Sequence, residues 1–153
     1  MAKLLISILA TVLAGCTGAQ RELRVAIRPS LDLNDSRSVY VVARFVPDDA
    51  YAVESYDEVA RKAMPPDASV QRSVMVLPGV AQEIRVPVPE KGRIALYAFF
   101  ERPEDGTWRL LLPALTSKGV ELRLGRARMC WIGESARTGD AGVCGPESIT
   151  PSR

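Results

Sequence analysis

The 153-residue chain contains no histidine. That removes the side chain which changes charge nearest neutral pH and serves most often as general base. It also excludes a Ser-His-Asp or Cys-His nucleophilic site outright. Aromatic residues make up only 6% of the chain, and the formal charge is +2. No basic run interleaves with aromatics, as a nucleic-acid surface would require, and no glycine-rich phosphate loop occurs. The acidic doublets Asp48-Asp49 and Glu104-Asp105 fall where turns are expected, and turns favour acidic residues for solvation and backbone hydrogen bonding. Neither doublet reads as a catalytic pair. Long apolar runs are missing too. The longest, Leu4 to Leu13 with Ser7 and Thr11 inside it, is too short for a bilayer core that takes roughly 20 apolar residues.

That run is informative by position. Lys3 precedes it and Leu13-Ala14-Gly15-Cys16 follows it. A charged start, a short apolar stretch and small residues before a cut site make a secretory signal. Leu-Ala-Gly-Cys resembles the bacterial lipobox, in which the cysteine is diacylated and becomes the new amino terminus. Residues 1–15 are therefore expected to be removed, and Cys16 to carry the lipid, with 16–21 as a short tether. Two or more acyl chains hold stably where one does not. Thr17, rather than an aspartate, follows the cysteine, which leans toward the outer membrane with the domain facing the periplasm.

With Cys16 lipidated, Cys130 and Cys144 remain as a pair in an oxidising compartment, so a disulfide is the default reading. Such a bridge stabilises by ~3 kcal/mol on the chain-entropy model. The alternative, a metal site, lacks histidine ligands and has its two thiols 14 positions apart.

Residues 22–149 read as a single domain with a flexible tail at 150–153. Leu23, Val25 and Ile27 alternate with Arg24, Ala26 and Arg28, the period of a half-buried strand. Val39 to Val46 is apolar on both faces except for Arg44, which fits a central strand with Tyr40 and Val42 covered by a neighbour. Residues 55–63 are the one good helix: Ser55 and Glu58 form a capping box, and Tyr56, Val59, Ala60 and Ala63 make one apolar stripe. Further strands are expected at 70–77, 84–88, 94–100, 108–112 and 120–124, with regular hairpins joining the third to the sixth. Pro78-Gly79 suits a type II turn, and Pro87 and Pro89 mark an edge strand or one whose last part is not paired. From Gly125 the chain reads as irregular. The sum is an all-β two-sheet sandwich of about seven or eight short strands with one short helix after strand two. Trp108 is expected in the core and Trp131 over the disulfide. The loop at 29–38 places Leu31 and Leu33 among Asp32, Asn34, Asp35 and Arg37. Leucines with charged flanks suit a docking surface; equally, both leucines suit a cap folded back on the sandwich.

The lipobox, the first strand, the Leu33-Asn34-Asp35 loop and Val39-Tyr40-Val41-Val42-Ala43-Arg44-Phe45 together resemble the outer-membrane lipoprotein of the type VI secretion system, the TssJ family. Tyr56-Asp57-Glu58-Val59, Val76-Leu77-Pro78-Gly79, Ile94 to Phe100, Asp105-Gly106 and Trp108 to Pro113 continue the pattern over residues 1–124. The resemblance implies a transthyretin-like sandwich, no enzymatic activity and no cofactor. It implies a partner, the periplasmic C-terminal region of a TssM-like inner-membrane protein, contacted through the loop that falls here on Leu31, Asp32, Leu33, Asn34, Asp35 and Arg37. Asn34-Asp35 stands where the family pattern has Asn followed by Pro, and the tail from Gly125 lies outside that pattern. The competing readings are a periplasmic lipoprotein that binds a small ligand or glycan near the tryptophans, and an enzyme using facing carboxylates.

Overall fold

The computed structural model describes residues 21–112, 119–133, 142 and 144. The signal segment, Cys16, most of the tether and the 150–153 tail lie outside the described residues.

Among the described residues, eight strands form two four-stranded sheets that pack face to face. The strands are β1 (Glu22–Pro29), β2 (Val39–Val46), β3 (Val70–Val76), β4 (Gln82–Pro87), β5 (Arg93–Phe99), β6 (Arg109–Leu111), β7 (Val120–Leu124) and β8 (Met129–Gly133). The order is β4-β1-β7-β8 in one sheet and β3-β2-β5-β6 in the other. All pairs are antiparallel except β1 with β7, where Val25 opposes Val120 and Pro29 opposes Leu124. The alternating residues Leu23, Val25 and Ile27 of β1 point into the core and share one buried cluster with Val41, Leu96, Val86 and Leu122.

Three expectations need correction. Regular hairpins do not join the third to the sixth strands: of these four only β5 and β6 pair as sequence neighbours, while β3 and β4 belong to different sheets. Val76 and Val86 are both fully buried, so each strand has the inner face its period announced. Period two says which side chains face inward and nothing about which neighbour a strand pairs with. The stretch after Gly125 is not irregular throughout, because Met129–Gly133 pairs along β7 with Cys130 opposite Arg123. Asp48-Asp49 opens a second helix, α1 (Asp48–Val53), rather than a turn.

Helix α2 (Tyr56–Ala63) forms as its signals require, with the Ser55 hydroxyl accepting from the Glu58 N–H and the Glu58 carboxylate accepting from the Ser55 N–H. Together α1 and α2 cover the outer face of the β2–β5 pair. Tyr56 stacks edge-on against Trp108 at 5.0 Å and Phe99 at 5.5 Å, and Tyr97 lies 5.9 Å from Trp108. This second apolar layer buries Trp108, Val42 and Tyr97, whereas Tyr40 stays partly exposed.

Cys130 and Cys144 are joined by a disulfide with Cα atoms 4.9 Å apart. The Trp131 N–H donates to the Gly142 carbonyl and the Cys144 N–H donates to the Trp131 carbonyl. The bridge thus holds a short segment along the outer edge of β8. Trp131 packs in the sandwich core.

Candidate partner-binding site

Loop 29–38 leaves the end of β1 and is fastened at once on two sides. The Ser30 N–H donates to the Leu124 carbonyl at 2.8 Å, and the Gly79 N–H donates to the Ser30 carbonyl at 3.1 Å. Leu33–Asp35 then makes a single 3-10 turn. Asn34, Asp35 and Ser36 follow one another with φ of 47°, 54° and 64°. Left-handed backbone is costly for residues other than glycine, and Asn and Asp tolerate it best. Three such residues in a row persist only where the surroundings over-determine them. The Asn34 side chain supplies that constraint: its Nδ2 donates to the Ser38 carbonyl at 3.0 Å and its Oδ1 accepts from the Glu101 N–H at 2.9 Å.

The two leucines divide between the two roles open to them. Leu33 is fully buried in the core, and Leu31 is 70% exposed. Leu31 lies over Gly79, where an added Cβ would stand 2.7 Å from its Cδ2. Exposed apolar side chains continue from there. Leu77 and Val80 flank the same turn, and Met75 stands opposite Tyr40 on β2. Leu31, Tyr40, Met75, Leu77 and Val80 are five of the seven large apolar residues exposed among the described residues. All five gather at one end of the sandwich. Around them stand charges: Arg126 lies 3.6 Å from Asp32 and 3.5 Å from Asp35, and Arg37 pairs with Glu101. An apolar centre with a polar rim is the anatomy of a protein–protein contact.

Of the residues that sequence reasoning grouped in this loop, the surface presents Leu31, Asp32, Asp35 and Arg37. Leu33 and Asn34 face inward and shape it. Tyr40, Met75, Leu77 and Val80 were missed as part of the surface. Their signal was available: with Val76 inward, Met75 and Leu77 must be apolar residues on the outward face.

A buried carboxylate is the first place to look for acid–base chemistry, and Glu54 is 8% exposed. Both its oxygens are occupied. Oε1 accepts from Lys62 Nζ at 2.6 Å and from Arg44 at 3.1 Å; Oε2 accepts from Tyr97 at 2.9 Å and from Arg44 at 3.1 Å. Burial alone would raise this carboxyl, but the donors Lys62, Tyr97 and Arg44 hold it below its ordinary value. Burial and the Glu54 hydrogen bond push the Tyr97 hydroxyl well up. The cluster is saturated, and it clamps the helical segment to the sheet.

The same fold occurs in solved structures. The type VI secretion lipoprotein TssJ1 from Pseudomonas aeruginosa matches with a TM-score of 0.62 and 15% identity, over 77% of this chain and 99% of that one. Serratia marcescens Lip, a membrane-bound component of the type VI secretion system, matches with a TM-score of 0.60 and 13% identity, over 76% and 99%. A chain in the structure titled as the TssM C-terminal domain (869–1107) from EAEC matches with a TM-score of 0.61 and 17% identity, over 73% and 98%. None of the curated proteins matches in sequence. The family model for the IglE N-terminal domain aligns with residues 40–124, more than half of the chain, and the protein belongs to that TssJ-like family of type VI secretion lipoproteins.

Proposed function

We propose that this protein is an outer-membrane-anchored lipoprotein of a type VI secretion system, with its domain in the periplasm. In this reading it is a non-enzymatic adaptor. Lipid at Cys16 holds it to the membrane, and the apolar patch around Leu31 binds the periplasmic C-terminal region of a TssM-like inner-membrane protein.

The observation that carries the reading is the position of that patch. The chain enters the domain at Arg21, whose carbonyl accepts from the Val88 N–H. β1 then runs eight residues to loop 29–38. At about 3.3 Å per residue this sets the patch ~25 Å from the tethered end. A surface facing away from its own membrane is free to meet a protein arriving from the opposite one. The EAEC structure supports the choice of partner. A chain of this fold occurs in a structure titled for a TssM C-terminal domain. Several copies in one assembly would add avidity to a moderate contact.

The test is capture of the periplasmic region of the TssM-like protein by the detergent-extracted, oxidised lipoprotein. Capture by the wild type and its loss in Leu31→Asp/Leu77→Asp, with unchanged circular dichroism, is expected. No capture by folded wild type overturns the reading.

A further inference from the structure

Sulfur is sparse in this chain and unevenly placed. Of its four methionines and three cysteines, the described residues include Met64, Met75, Met129, Cys130 and Cys144. The two cysteines are already joined, and Met129 is buried in the core. Two thioethers are left open to solvent, Met64 at 57% and Met75 at 50% exposure.

They stand in different places. Met64 ends α2, on the link that leads into β3. Met75 belongs to the apolar patch around Leu31. It lies on β3, an edge strand of its sheet, directly opposite Tyr40 of β2. Its backbone is held, because Gln82 Nε2 donates to the Met75 carbonyl at 3.1 Å. Its thioether faces outward: Val76 beside it is fully buried, and neighbours on a strand point to opposite faces. Of Leu31, Tyr40, Met75, Leu77 and Val80, only Met75 carries sulfur, and so only Met75 can be converted to a sulfoxide.

We infer that Met75 is an oxidation site whose modification turns the patch away from its partner. The consequence for binding rests on the adaptor reading; the modification itself rests on the exposed sulfur. The co-reactant is a hydroperoxide, such as hydrogen peroxide. The thioether sulfur attacks one peroxide oxygen, the O–O bond breaks and an S–O bond forms. Sulfur is oxidised by two electrons and the peroxide is reduced. The proton of the transferred hydroxyl passes to the departing hydroxide, which leaves as water. The product is polar and chiral where the thioether was apolar and pliable. A protein closing over it must bury a new acceptor beside Leu31, Leu77 and Val80, whose side chains offer no donor. An acceptor buried without a donor opposes binding. A partner already seated on the patch covers the sulfur, so the reaction acts on unassembled protein. Sulfoxide reductases return the thioether, which makes the change reversible.

The experiment treats the detergent-extracted, disulfide-bonded lipoprotein with hydrogen peroxide and then removes the peroxide. Peptide mass mapping locates the added oxygen, and capture of the same periplasmic partner region is measured. Oxygen on Met64 and Met75 but not on Met129 is expected, with capture weakened about tenfold. Met64→Leu should lose capture on treatment as the wild type does, and regain it after incubation with sulfoxide reductase. Met75→Leu, compared with itself before and after treatment, should show no change. Partner bound beforehand should slow the oxidation of Met75 and leave that of Met64 as it was, a readout that needs no variant to fold. A Met75 that stays a thioether while Met64 reacts overturns the site. Undiminished capture by the Met75 sulfoxide, or a loss in Met75→Leu as large as in the wild type, overturns the effect on binding. No capture before treatment overturns the adaptor reading and that effect with it, while the mapping still decides the site.

Discussion

Two groups of charges sit on the same sandwich in opposite conditions. Arg44, Glu54 and Tyr97 are buried beneath α1 and α2, with Lys62 at the margin, and every oxygen of the carboxylate has a donor. Asp32 and Asp35, 3.6 and 3.5 Å from Arg126, and the Arg37–Glu101 pair ring the apolar patch in open solvent. The first group cannot exchange partners without leaving a charge stranded in the interior. The second can trade its neighbours for those of an incoming protein at little cost, because water screens both states. The same residue types are locked together in one place and free to exchange neighbours in the other, and burial decides which.

The sharpest way to test that division is Glu54→Gln. Removing one partner of a buried ion pair leaves the other uncompensated, so a loss of about 3–5 kcal/mol in urea unfolding is expected. The pH dependence has a definite sign. The folded carboxyl is held below its ordinary value, so its contribution is complete above the unfolded pKa, about 4.3. It drains away as pH falls through the lower folded value. The variant should therefore show a shallower loss of stability on acidification than the wild type. A loss under 1 kcal/mol, the range of exposed pairs, would erase the distinction.

The loop offers the same contrast in apolar form. Leu33→Ala is expected to cost about 2–5 kcal/mol, as a large-to-small change in a core. Leu31→Ala should stay within about 0.5 kcal/mol, as a surface change. Thermal or urea unfolding of the pair measures it, and equal losses would mean that the loop is not seated as described. The smallest effect belongs to the rim. Arg126→Ala should change stability by no more than ~1 kcal/mol, while slowing the association rate with the partner and flattening its salt dependence. An unfolding loss as large as that of Leu33→Ala would make Arg126 part of the architecture instead.

Much of this could be read before folding. The Ser55–Glu58 box and the stripe at Tyr56, Val59 and Ala63 place α2 because a helix is a local structure whose signals lie within a turn of one another. The alternation in β1 and β7 places those strands for the same reason. Pairing is not local, and so the separation of β3 from β4 was not legible. Nor was the clamp, since Glu54 meets Arg44 and Tyr97 from distant parts of the chain. β8 was hidden by its brevity and by the cysteine inside it. Leu31 and Leu33 are chemically alike and two residues apart in a loop with no period. Only the 3-10 turn at Leu33–Asp35, held by Asn34, sends one inward and leaves the other outside.

The parallel pairing of β1 with β7 has a mechanical consequence. β1 lies between β4 and β7, bonded along both edges, six residue pairs on one side and five on the other. A pull entering at Glu22 and resisted at loop 29–38 acts along the strand axis, across ladder bonds that run sideways from it. Such a load shears all the rungs together and does not peel them one at a time. If the domain is anchored and bound as proposed, tension between two membranes would be spread over the whole of this strand.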